Sequence, residues 1–189
     1  MVHTQNTALL HKSLLWVGLL SIIMFFAGLT SAVVVSKATS TWITYTIPQI
    51  FLFSTLIIIT SSFTYQMGYR FVKESNWKVA KWLFVLTATL GILFIVAQFY
   101  GWSQLINQGI FATGTDSSVS GSYFYIIVAL HLLHFVAAIL SLGIVTGKTF
   151  LQKYTTTNHS RIETSLVFWH FLSALWLYVF FFLQYMINN

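Results

Sequence analysis

Residues 165–187 read SLVFWHFLSALWLYVFFFLQYMI. No Asp, Glu, Lys or Arg interrupts this run, and its length is close to the ~20 residues that carry an α-helix across the hydrocarbon core of a bilayer. Moving outward, four more apolar stretches occur at about 14–36, 46–69, 80–102 and 123–146. A segment in lipid must satisfy its backbone groups internally, and these runs are about twice the length of a tilted barrel strand. Five transmembrane helices are therefore expected, in one all-α, polytopic membrane unit covering residues 1–189. The single proline, Pro48, falls in the expected first turn of the second helix, where its missing N–H costs nothing. The first stretch is too long for a signal-peptide core and is read as a retained helix.

Composition agrees. Only 6% of residues are Asp, Glu, Lys or Arg and 57% are hydrophobic, against roughly 25% charged in a soluble domain. So few charges could not cover a water-facing surface. Cysteine is absent, which excludes disulfides, thiolate metal sites and a cysteine nucleophile. Six histidines and the carboxylates Glu74, Asp116 and Glu163 are all that remain for acid–base or ligand chemistry.

The net charge of +6 is explained by topology. If five helices alternate, Lys12, Arg70, Lys73, Lys78, Lys81, Lys148, Lys153 and Arg161 share one side and only Lys37 lies on the other. The positive-inside rule then puts the N-terminus in the cytoplasm and the C-terminus outside. Those basic residues suit anionic lipid headgroups, and no nucleic acid is implied. The connection Asn107–Ser122, rich in Gly, Ser and Thr and carrying Asp116, reads as a flexible outer loop. Trp16, Trp42, Trp77, Trp82 and Trp102 fall near expected helix ends, where indoles favour the interface.

Membrane helices pair through small and polar residues. The four-residue spacings Ala27/Ser31, Ala137/Ser141 and Gly143/Gly147 are expected contact points, and Ser54, Ser61 and Tyr65, with Ser62 and Thr64 beside them, form a polar seam on the second helix.

His131, His134 and His170 fall inside expected spans, where an ionisable residue demands an explanation. His131 and His134 are three apart and share a face with Ile127, Ala138 and Ser141. His170 is early in the fifth helix and is expected at a different depth from His134. The residues leave three readings open: neutral imidazoles hydrogen-bonding across helices or to backbone carbonyls, haem ligands, or members of a proton relay. A divalent metal site would need further ligands that the spans do not supply.

The segment Gly121-Ser-Tyr-Phe-Tyr125, then His131-Leu-Leu-His134, then Glu163 and Phe168-Trp-His-Phe-Leu-Ser-Ala-Leu-Trp176, resembles subunit III of the haem-copper terminal oxidases. The most specific part is Trp169-His170-Phe171 with Trp176 six positions after the histidine. Trp16 with Ser21 and Met24-Phe-Phe-Ala-Gly-Leu29, Ser61-Ser-Phe-Thr-Tyr65, and Leu90-Gly91 with Gln98 and Trp102 extend the likeness over all five helices, in the short form of that subunit that lacks two initial helices.

The resemblance implies a non-catalytic subunit of a cytochrome c or quinol oxidase in the cytoplasmic membrane, with haems and copper held by partner subunits. It further implies docking mainly on subunit I, with subunit II nearby, structural phospholipid, and membership of a larger respiratory assembly. His131, His134, Glu163, Trp169, His170, Phe171, Trp176, Ser61 and Tyr65 are then structural motif residues, with no catalytic, cofactor or metal residue in this chain. The alternative from another class is a haem b-binding membrane anchor of a dehydrogenase or reductase. The sequence also departs from the family: positions that commonly hold membrane carboxylates are Ile22, Ser54, Gly101 and Ser173, and the glycine between the paired histidines is replaced by Leu132 or Leu133.

Overall fold

The computed structural model describes residues 2–38, 42–115, 117–151 and 160–188, with 2–12 and Ser160 described through their backbone alone. Asp116 and Lys153 lie outside the described residues, as does the side chain of Lys12. The elements are α1 (Val2–Ser36), α2 (Ile50–Lys73), α3 (Trp77–Asn107), α4 (Val119–Phe150) and α5 (Ser160–Asn188). All five are long and apolar enough to cross a membrane. Most run past the expected limits, because apolar length tracks the thickness of hydrocarbon while the helix continues into the headgroup layer.

The starts have local causes. Pro48 lies just ahead of α2 and not within its first turn; its carbonyl accepts from Phe51 N at 3.1 Å, and the helix begins at Ile50. Ser118 caps α4 in extended backbone, its hydroxyl accepting from Gly121 N at 3.1 Å. Between α2 and α3 the chain reverses through Ser75, whose φ of 60° lets Asn76 N bond to Phe71 O at 2.9 Å. Arg70 and Lys73 occupy the last turn of α2, where cations complement the helix dipole.

Helices α2, α3, α4 and α5 close a ring in which α2 packs on α3 and α5, and α4 on α3 and α5. Helix α1 lies outside this ring, against α4 and α5. It is held by Ser36–Tyr123 at 3.0 Å and by Tyr178 Oη donating to Thr30 Oγ1 at 3.1 Å. The core is aromatic, with Phe26, Phe51, Phe84, Phe94, Phe124, Phe135, Trp169 and Trp176 buried.

Two further expectations are corrected. The small-residue pairs mostly do not mark helix contacts: Ala27, Ser31, Ala137, Gly143 and Gly147 face outward, and a Cβ at either glycine would meet nothing within 4 Å. Only Ser141 is engaged, donating to Ser165 Oγ at 3.0 Å. The outer loop is tied down: Ile110 is buried, its carbonyl accepts from Tyr125 Oη at 3.0 Å, and Ala112 O accepts from Ser122 Oγ at 2.8 Å. Hydroxyls near the start of α4 anchor what composition alone marks as free.

Candidate functional site

The polar residues of the span cluster where α2 meets α5. On α5, residues 169, 170 and 176 meet a line of hydroxyls and an amide on α2. Trp169 Nε1 donates to Ser61 Oγ at 3.2 Å, and Trp176 Nε1 donates to Thr55 Oγ1 at 3.0 Å. His170 joins Ser62 through Nδ1 and Gln66 Oε1 through Nε2, the latter at 3.0 Å. From Thr55–Trp176 to Ser61–Trp169 the number on α2 rises as that on α5 falls, as antiparallel pairing requires. Because Gln66 Oε1 accepts, Nε2 carries the proton in the neutral ring, and Nδ1 accepts from the Ser62 hydroxyl.

At the basic end, Tyr69 Oη donates to Glu163 Oε1 at 2.8 Å, and Lys73 Nζ sits 4.6 Å from the centre of the Tyr69 ring. Glu163, in the first turn of α5, is placed where a carboxylate is favoured by the helix dipole. Tyr65 is buried with its ring 5.9 Å from Trp169 and 5.5 Å from Phe84. Phe171 is half-buried against the same core. Thr64 and Thr87 bond hydroxyl to hydroxyl at 2.9 Å, joining α2 to α3. The polar seam on α2 is thus real and serves two neighbours. Gln66 and Thr55 are partners that the motif reading missed; each is a polar residue inside an apolar run, which is the signal that could have found them.

The paired histidines behave differently. His131 is wholly buried in a box of rings from four helices: Phe26, Phe94, Phe135 and Trp176, with centroids 6.4, 6.3, 6.2 and 5.1 Å away. Neither of its nitrogens has a hydrogen-bond partner among the described residues, so the expectation of a bonded imidazole fails here. His134 is half-buried, with Nδ1 bonded to its own helix at Leu130 O, 2.7 Å away. His170 alone bonds across helices.

The expected depth difference between His134 and His170 is also overturned. The Ser141–Ser165 bond and the Phe135–Trp169 ring contact at 5.0 Å fix the register of α4 against α5. His134 therefore stands level with residues 170–172, within about 3 Å of His170 along the axis. Depth does not argue against a haem; the surroundings do. His170 is engaged at both nitrogens by α2, and rings fill the space around His131, so neither offers His134 a second ligand across one haem. Among the described residues no three His, Asp or Glu side chains are grouped to hold a metal ion.

The positions that lack membrane carboxylates have individual explanations. Ser54 Oγ accepts from Gln98 Nε2 at 2.9 Å inside the core, so a hydroxyl takes the amide. Ser173 Oγ donates back to Trp169 O at 2.9 Å. At Gly101 a Cβ would lie 2.5 Å from Phe51 Cζ, so the Phe51 ring occupies the space that a side chain would need. Ile22, half-buried one turn before Phe26, packs against the apolar core. Between the histidines, Leu132 is buried and Leu133 faces outward.

This architecture has counterparts. Residues 7–187 match the family described as cytochrome c oxidase subunit III. A probable cytochrome c oxidase subunit 3 of Mycobacterium leprae is 30% identical over 171 residues, covering 87% of this chain and 82% of that one. A second probable cytochrome c oxidase subunit 3, from Nocardia farcinica, is 27% identical over 179 residues, 89% of this chain and 83% of its own. The cytochrome c oxidase subunit 3 of Corynebacterium diphtheriae is 30% identical over 167 residues, with coverages of 84% and 79%. These relatives give no support to a haem-bearing anchor of a dehydrogenase. With five membrane-length helices in order and the α5 motif meshed into α2, a match over nearly the whole length places this chain in the cytochrome c oxidase subunit III family, the accessory subunits of haem-copper respiratory oxidases.

Proposed function

We propose that this chain is a buttress of the oxidase to which it belongs, one membrane unit with no catalytic site and no bound cofactor of its own. The observation that carries this reading is the α2–α5 seam. Its motif side chains Ser61, Trp169, His170 and Trp176 are engaged with each other and with Thr55, Ser62 and Gln66, which is the use expected of groups that fix helix pairing. Haems and copper then belong to partner subunits. Subunit I is the main contact, with subunit II nearby, and phospholipid fills the remaining surface within a larger respiratory assembly. The excess of Lys and Arg at one end of the bundle supports an N-terminus in the cytoplasm and a C-terminus outside, in the cytoplasmic membrane.

The test is the oxidase purified with and without this chain. Without it, initial oxygen consumption should persist while activity decays in fewer turnovers. An immediate, complete loss of turnover from a complex that retains its haems, or an unchanged working lifetime, would contradict the reading.

A further inference from the structure

His134 stands midway along α4, fifteen residues after Val119 and sixteen before Phe150, so it lies near the middle of the hydrocarbon. Its ring is half-buried beside Phe26 of α1, and its Nδ1 faces Leu130 O at 2.7 Å. A carbonyl can only accept, so in the neutral ring Nδ1 carries the proton and Nε2 is left as an acceptor. No hydrogen bond to Nε2 is formed within the described residues. The neighbouring positions on this side of α4, Leu133 and Ala137, are exposed.

An imidazole acceptor open to the midplane is costly in lipid. Phospholipid cannot satisfy it, because ester and headgroup atoms lie about 15 Å away at the edge of the hydrocarbon core. What remains is a hydrogen-bond donor on another membrane-spanning protein. We infer that the outer face of α4 around His134 and Ala137, beside α1, receives a transmembrane helix of another oxidase subunit, which donates a hydroxyl, amide or indole hydrogen to His134 Nε2. This rests on the accessory-subunit reading above, which requires partner subunits in the same membrane. The α2–α5 groove lined by Ile59, Ser62, Phe63 and His170 is the contrasting surface. Both nitrogens of its histidine already have partners, so it makes no such demand.

The test uses the assembled oxidase carrying the photo-reactive residue benzoylphenylalanine at Leu133, which is 66% exposed, or at Phe63, which is 73% exposed on α2. The Leu133 position should crosslink to another oxidase subunit and the Phe63 position to lipid. Crosslinks to lipid alone from Leu133, or to a second copy of this chain, would overturn the inference. So would a subunit crosslink from Phe63 with none from Leu133, while leaving the accessory reading intact. Failure of the wild-type chain to co-purify with any haem-bearing subunit would instead sink the accessory reading itself. In parallel, His134→Leu should lower retention of the chain during detergent washing about three- to tenfold, the range of one interhelical hydrogen bond. His134→Gln, which can present an acceptor oxygen, should restore part of it. Retention of His134→Leu at the wild-type level would count against the inference, and thermal stability of the isolated chain should not fall in either variant.

Discussion

His170 and His131 lie on adjacent helices of one bundle and solve the problem of a polar ring in lipid in opposite ways. His170 is bonded on both sides, to Ser62 and Gln66. His131, fully buried, is surrounded by Phe26, Phe94, Phe135 and Trp176 and bonded to nothing described. The first arrangement is directional and joins α2 to α5. The second is a packing arrangement in which the imidazole serves as a flat, space-filling ring. An unmet hydrogen bond in an apolar interior is destabilising, so the two histidines should respond oppositely to removal of their polarity.

The largest expected effect sharpens the bonded side. Trp169→Ala removes a buried indole, its bond to Ser61 and its contact with Phe135. It should cost about 3–5 kcal/mol of folding stability, as large-to-small core changes do, read from denaturant unfolding in detergent. Gly101→Val comes next: with a Cβ forced to 2.5 Å from Phe51 Cζ, overpacking should cost about 1–3 kcal/mol in the same assay. His170→Leu leaves Ser62 and Gln66 without their partner and should cost about 1–2 kcal/mol. The cycle with Ser62→Ala should recover about half of that as coupling, the remainder belonging to Gln66. Additive losses would mean that the seam bonds contribute little.

The smallest effect is the one that could break the contrast. His131→Leu is close in volume and leaves no partner stranded, so stability should stay within about 1 kcal/mol of wild type, on the stabilising side. A loss comparable to that of His170→Leu would show that His131 makes a bond that the ring box does not account for.

Much of the fold was legible in the sequence, because hydrocarbon imposes both a length and a hydrogen-bonding rule on what crosses it. The α2 seam was readable too, since Ser61, Ser62 and Tyr65 stand out against their apolar surroundings. What could not be read was direction. Spacing shows that Ala27 and Ser31, or Gly143 and Gly147, share a face, but lipid is as apolar as the core, so nothing in their hydropathy says which way that face points. The environment of His131 was hidden for a different reason. Its four ring neighbours come from four helices and meet only when the ring of α2 to α5 closes with α1 against it. The lack of carboxylates at Ile22, Ser54, Gly101 and Ser173 was visible as a departure, but the Phe51 ring fills the space at Gly101 only through the packing of α2 on α3.

If this chain is the buttress proposed above, its intramembrane histidines hold or fill and take no part in moving protons or electrons. The most direct measurement is the initial turnover rate, with protons translocated per electron, of assembled oxidase in which this chain carries both His131→Leu and His170→Leu. Both quantities should equal those of the wild-type complex, with only the working lifetime shortened. A fall in initial rate or proton stoichiometry, in a complex whose subunit ratio and haem spectrum are unchanged, would contradict it.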